Sequence, residues 1–406
     1  MNFLRRLPLF AILPLLCLAL TPAASARADD SYVTIKTSDA NRKFVFHVHN
    51  EGSPDDDENL EPSAWNLSAA QRDDILKAAE LWAEVLKPGN GSYAVTYDVV
   101  TEDEEDNAHC GSDLRSGSTK TKVADAIING TLGSGYDGFM KIGDMVDSVN
   151  GLDLSPLPAN NDFAVTIYHE MAHSLGVLSR VPALANDAMR VVMSQVSDWD
   201  THLLDRNHHG LAQGTTISVD PADASSSDVF FVGENNQSGV RFVGQHTAYV
   251  LSDRTISSDT DVTAYNNLGT QDKYAYGLPI EGVENFGTPE AALDLSHFEL
   301  ERSLMSHQTY RNHSVFMEAE LAALQDIGYD IDRNLFYGES IYTDGNAEND
   351  RRSVTVSTAH TDVSGTLGVG LHVYGKYNAI TLNADLTAGG EAGTGGEAGT
   401  GVRMDG

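Results

Sequence analysis

The sequence predicts an α+β protein in which strands and helices share one body, followed by short glycine-broken strands as the start of a β-solenoid. Three observations lead there. Segments 31–38 (SYVTIKTS) and 43–49 (KFVFHVH) alternate apolar and polar side chains, the period of a half-buried strand. Residues 68–89 and 161–176 carry helix start and stop signals around apolar positions at helical spacing. Beyond residue 339, valine and leucine recur in short runs separated by glycine, and two short motifs repeat.

The chain opens on a targeting segment, residues 1–28, which takes no part in the fold. Arg5 and Arg6 supply a positive start, 7–20 an apolar stretch, and Ala26-Arg27-Ala28 an A-x-A cleavage site. An apolar run of about fourteen residues interrupted by Pro8 and Pro14 is short of the ~20 needed to span a bilayer. Export to the extracellular space or the cell surface is therefore expected, with no membrane span. Cys17 follows two leucines and makes a poor acylation site. Without this segment the chain keeps 23 Lys and Arg against 59 acidic residues, a formal charge of −36. Such a charge repels nucleic acid and anionic membranes, and it keeps an exported protein soluble. Surface carboxylates in this number could hold calcium, but no D-x-[DN]-x-[DN]-G loop supports it. Cys110 is the single cysteine left, so no intramolecular disulfide forms and stability must come from packing or a metal. The remaining 378 residues exceed a typical domain and imply at least two structural units.

After the first two strands, residues 55–61 read as a solvated acidic loop. Ser68 and Gln71 form a capping-box pair. Ile75, Ala78, Trp82 and Val85 then recur at helical spacing until Lys87-Pro88-Gly89 stops the helix. A strand follows at 92–100. The acidic run 102–106 leads to Cys110, which is either an isolated loop cysteine or an inhibitory thiolate. Folded elements on both sides favour the first. Residues 136–143 suggest another strand. A second helical stretch is expected at about 186–206, loops and short strands over 210–295, and a helix over 317–327 closed by Gly328. In the tail, GLHVYG at 370–375 recurs as GVRMDG at 401–406, and GGEAGT occurs twice over 389–400. The strand-like segment 378–386 argues for solenoid coils over a flexible linker. Two repeats are few for a solenoid, which implies a longer or a truncated product.

The chemistry is concentrated at His169-Glu170-Met171-Ala172-His173. On a helix, residues four apart are offset by about 40° and ~6 Å along the axis, so both imidazoles reach one metal ion. Asn161 or Asp162 can cap the start of that helix. Ala164, Ile167, Met171 and Leu175 form an apolar stripe facing away from the histidines. Glu170 directly follows the first ligand, the position of the general base in HExxH proteases. Three protein ligands on zinc leave one position for water, whose pKa falls to about 7.

The run HEMAHSLG resembles the metzincin pattern HExxHxxGxxH up to Gly176, then departs, because Ser179 stands at the expected third-ligand position. A serine hydroxyl is a poor zinc ligand. In SHFELERSLMS (296–306), His297 precedes Ser303-Leu304-Met305-Ser306, which resembles the Met-turn. The displaced histidine, the Met-turn and a helix ending at Gly328 look like the leishmanolysin-type metzincins over roughly residues 65–332. The resemblance implies a zinc endopeptidase with a twisted sheet, an active-site helix, a long insert and a Met-turn subdomain. It implies His169, His173 and His297 as ligands of one zinc ion and Glu170 as the catalytic residue. Phe298 stands where that family often has tryptophan, and the family's disulfides are absent. His246, His208 and His209 read more simply as loop histidines and His313 has no supporting context. His307 is a candidate oxyanion stabiliser. Glu299 or Glu301 would be ligands only in a thermolysin-like arrangement.

The expected organisation is thus an export segment 1–28, a metallopeptidase domain 29–338 with an insert at about 180–290, and a glycine-rich repeat segment 339–406 similar to autotransporter passenger repeats. The expected function is cleavage of protein or peptide substrates. Two other readings stay open: a catalytically inactive adhesin built on a protease fold, against which an intact Glu170 speaks, and a zinc hydrolase of non-peptide amides.

Overall fold

The computed structural model of the chain describes residues 31–53, 61–103, 108–144, 163–181, 190–218, 228–230, 239–256, 259, 262–281, 283–284, 292–293, 295–306, 316–357, 362–388 and 399–405. The export segment, the cap expected at Asn161 or Asp162, His307 and His313 lie outside these residues. No helix among the described residues is long and apolar enough to cross a membrane. The architecture is mixed α+β, with several small sheets and, among the described residues, no closed barrel.

The largest sheet is built first. Strands β1 (Tyr32–Lys36), β2 (Arg42–His49), β3 (Tyr93–Thr101), β4 (Ala108–Gly111) and β5 (Gly138–Ile142) lie in the order β1-β2-β3-β5-β4. β2, β3 and β5 run parallel, while β1 and β4 close the two edges antiparallel. Parallel neighbours require crossover connections. Helix α1 (Ala69–Val85) joins β2 to β3, and α2 (Lys122–Asn129) lies between β4 and β5. The period-2 pattern holds on β2, where Phe44, Phe46 and Val48 are buried; burial does not alternate along β1, and β3 is buried on both faces from Tyr97 onward.

The capping box of α1 forms as the sequence implies. The Ser68 hydroxyl accepts the Gln71 N–H, and the Gln71 side chain accepts the Ser68 N–H at 2.9 Å. Such a cap stabilises the helix by about 1 kcal/mol. Helix α1 packs along α3 (Phe163–Ser174). The Trp82 indole N–H donates to the Tyr168 carbonyl at 3.0 Å, and the rings of Trp82, Tyr168 and Phe316 meet at 4.6–5.0 Å. The stripe Ala164, Ile167, Met171 and Leu175 is fully buried, and Phe163, Val165 and Tyr168 are buried on other sides of the helix. The helix is therefore enclosed nearly all round, which a stripe alone did not suggest.

The insert corrects two expectations. No long helix occupies the described part of 186–206: β6 (Arg190–Val192) is followed by α4 (Asp198–Thr201) and β7 (Leu203–Leu204). The Ser197 and Asp200 side chains cap α4 at once, and β7 then pairs with a distant strand, so the helix cannot propagate. Nor is 210–295 made only of strands and loops. β8 (Thr216–Ser218), β9 (Val229–Phe230) and β10 (Arg241–Phe242) are followed by helices α5 (Gln245–Leu251), α6 (Val262–Asn266) and α7 (Thr270–Ala275). The short strands β11 (Leu278–Pro279), β12 (Val283–Glu284) and β13 (Ala292–Leu293) complete it. These helices are one or two turns long, too short for periodicity to declare them, and are held by tertiary contacts such as α5 against α8 (Glu318–Asp326).

From Tyr337 onward the chain winds in coils. β14 (Tyr337–Ile341), β15 (Arg352–Val356) and β16 (Asp362–Val363) are followed by β17 (Val369–Val373), β18 (Asn378–Leu382), β19 (Thr387–Ala388) and β20 (Thr400–Met404). Each strand lies parallel on its counterpart one coil earlier, giving stacks β14-β17-β20, β15-β18 and β16-β19. The sequence repeat is the structural register: Leu371 lies on Val402 and His372 on Arg403. Ile341, Val356, Leu371 and Val373 make a small core of their own. Coils approach so closely that a Cβ at Gly345 would lie 2.0 Å from the Tyr377 carbonyl oxygen. The stack is joined to the body where the Tyr342 hydroxyl accepts the Ala319 N–H (3.1 Å) and Glu84 accepts the Thr366 N–H (2.9 Å).

Candidate metal centre

Three imidazoles converge beside α3. Two come from one turn of that helix, His169 and His173, and the third, His297, comes from a segment 124 residues beyond His173. Their ring centroids are 4.9–5.2 Å apart pairwise, and one ligand atom of each lies within 4.8 Å of the others. His169 Nε2 and His297 Nε2 are 3.3 Å apart. Two nitrogens each about 2.1 Å from one tetrahedral zinc ion would be separated by about the same distance.

Each ring is anchored through its other nitrogen. His169 Nδ1 lies 2.7 Å from the Leu304 carbonyl, and His173 Nδ1 lies 2.8 Å from the Val177 carbonyl. His297 Nδ1 lies 3.4 Å from the buried Glu281 carboxylate. With Nδ1–H donating outward, each neutral ring carries its lone pair on Nε2. A cation placed between Nε2 atoms so turned would take their lone pairs, and outward anchoring of this kind is the usual support of metal-binding histidine. The donor set fits a soft-to-borderline divalent ion.

Local structure explains how the rings are aimed. After His173 the chain turns at Gly176 (φ 110°), where a side chain would be strained and would press on Ile327. That turn returns the Val177 carbonyl to His173. The segment carrying His297 is pinned along its length. The Trp199 indole N–H donates to the Leu295 carbonyl at 2.7 Å, and the Glu281 N–H donates to the His297 carbonyl at 3.0 Å. The Phe298 N–H donates to the Met305 carbonyl at 2.9 Å. Ser179 is not a ligand. Its hydroxyl donates to Asp200 at 2.7 Å, and its N–H donates to the Ser296 hydroxyl at 3.0 Å, which clamps the residue next to His297.

Glu170 borders the cluster with its side chain 13% exposed. One carboxylate oxygen accepts the Cys110 N–H at 3.2 Å, and the other lies 3.9 Å from His169 Nε2. Cys110 itself sits on β4 with its thiol against Ser174, and burial pushes that thiol well above its usual range. A thiol so protonated is a poor ligand. Below the cluster Leu304 and Met305 are fully buried. Their N–H groups donate to Glu320 at 3.4 and 2.8 Å. Burial pushes the Glu320 carboxyl up to about 7, against the opposing pull of the Met317 and Met305 N–H donors.

The other histidines are held elsewhere. His246 Nδ1 pairs with Asp259 at 2.8 Å, His209 with Asp205 at 3.4 Å, and His208 packs edge-on against Tyr274. Neither Glu299 nor Glu301 joins the three imidazoles among the described residues. Sequence reasoning missed Glu281, the Cys110 N–H and Glu320. An acidic residue in an irregular segment carries no signal of its own, and a backbone N–H none at all. Compared with protein families, with curated proteins and with solved structures, the chain matches none.

Proposed function

We propose that the chain is a secreted zinc-dependent endopeptidase of the metzincin kind, with His169, His173 and His297 as the ligands of one zinc ion. Glu170 is its general base and acid, and the parallel coils are the opening turns of a β-solenoid. The observation that carries the reading is the 3.3 Å approach of His169 Nε2 to His297 Nε2 while both rings are anchored through Nδ1. The Leu304-Met305 turn lying under His169 supports the metzincin likeness.

Zinc, when bound here, supplies Lewis-acid polarisation that brings the pKa of water near 7. Glu170 takes the proton of the attacking water. The Cys110 N–H fixes one of its oxygens and leaves the other toward the histidines, so the carboxylate is oriented before substrate arrives. The same carboxyl then gives the proton to the leaving amine nitrogen. Strand β4 closes the sheet edge beside Glu170, and an extended peptide paired along that edge would bring its carbonyl to the carboxylate.

Casein or gelatin zymography with and without a chelator tests the proposal. Clearing that the chelator abolishes is expected, and clearing by Glu170→Gln equal to wild type would sink the mechanism. Zinc binding without any clearing would favour the adhesin or the non-peptide amidase.

A further inference from the structure

The last coil of the stack meets the loop under the histidines at one buried joint that the proposed chemistry does not use. Arg403 on β20 is 5% exposed and stands in one column with Ser340 and His372. Its Nη2 donates to the Arg302 carbonyl at 2.9 Å, across 101 residues of chain. Its Nε pairs with Asp405 at 2.6 Å, and Asp405 also faces His372 Nε2 at 2.9 Å and Arg302 Nη1 at 3.9 Å. Arg302 has φ 68°, a conformation that non-glycine residues adopt only when their surroundings hold them there.

From Arg302 the path to the metal site is short. The Leu304 carbonyl accepts from His169 Nδ1 at 2.7 Å. The N–H groups of Leu304 and Met305 are held by Glu320, whose charge Arg403 favours against burial. The Glu320 carboxylate also takes the Met317 N–H at 2.7 Å, so the start of α8 and the turn share one acceptor. A guanidinium suits this joint because it offers several donors in a fixed fork, whereas an ammonium is a point charge.

We propose that Arg403 is a positioning residue of the metal site: it holds the 302–305 turn whose Leu304 carbonyl orients the His169 imidazole. The last coil is therefore needed for tight metal binding, an inference that rests on the metal reading above.

Zinc affinity is measured on the full chain by competition with a chromophoric chelator, together with the visible spectrum of the cobalt(II)-loaded protein. Wild type that binds no zinc sinks the metal reading itself. Wild type that binds zinc while the variants match it sinks only this inference. R403M removes the donors, and a loss of zinc affinity of about tenfold or more is expected, the size seen for outer partners of metal ligands. Its cobalt spectrum should shift. R403K keeps the charge and loses the fork, so it should fall between the two. Circular dichroism checks the fold, and where R403M does not fold, R403K decides. Affinity within twofold of wild type and an unchanged cobalt spectrum in the folded variant overturn the proposal. Val402→Thr, on the half-exposed face of the same strand, should leave both readouts unchanged. An equal loss there would mean general loosening of the strand and would also overturn the role assigned to Arg403.

Discussion

The cleft beside α3 and the coil stack both bury histidine, and they stabilise it in opposite ways. In the stack, His372 is fully buried with Asp405 on Nε2 and Arg403 alongside, and burial keeps its imidazole below the usual range. Its partners come from the chain itself, and the outcome is a neutral, structural residue. In the cleft the anchors lie behind the rings, on Nδ1, and the inward nitrogens face one another. That arrangement could hold a metal ion between the three rings. The difference teaches that neither burial nor residue type sets what a histidine can do; the direction of its anchored nitrogen decides whether the other one can face a metal ion.

The contrast can be broken most forcefully at His297. His297→Ala should reduce metal content from one zinc per chain to background, as measured by atomic emission after dialysis. Retained zinc would show that the third ligand lies elsewhere. Glu170→Gln comes next. It should keep its zinc and lose about 10²- to 10⁴-fold in peptide hydrolysis, the usual contribution of general acid–base catalysis. Loss of metal instead would place Glu170 among the ligands.

Glu320 joins the two regions and sharpens the comparison through pH. Its carboxyl is raised from 4.5 to about 7 in the folded protein, so the unfolded chain releases this proton first. Its contribution to stability therefore falls as pH rises from about 4.5 to about 7 and is flat beyond. Denaturant melts of the metal-free protein should show wild type losing up to about 3 kcal/mol over that window relative to Glu320→Gln. A difference that does not change with pH would refute the assignment. The smallest effect is expected at His246, whose partner Asp259 is partly exposed. His246→Ala should keep full zinc and cost no more than about 1 kcal/mol.

Much of the body was legible because its signals are local. The Ser68/Gln71 capping box, the alternation in residues 43–49 and the helix over 318–326 each arise within a few residues and survived folding. The GLHVYG and GVRMDG repeat was legible too, since stacked coils place like residues in like positions. The insert was not. In 186–206, early capping at Ser197 and pairing of β7 with Arg241–Phe242 overrode the helical spacing, and the helices α5 to α7 are too short to carry a periodic signal.

The sequence by itself determined the pair of histidines on one helical turn, the glutamate between them and the turn at Gly176. Spacing along a helix and a glycine-only φ are properties of the local chain. For the distant imidazole the resemblance carried by SHFELERSLMS already implied His297, and the tertiary structure brings it beside that pair. Only the tertiary structure decided that Ser179 serves as a clamp and that Glu281, Leu304 and Glu320 support the site from behind. Those contacts join residues that no local pattern pairs, such as Ser179 with Ser296, 117 residues away, and His169 with the Leu304 carbonyl, 135 residues away.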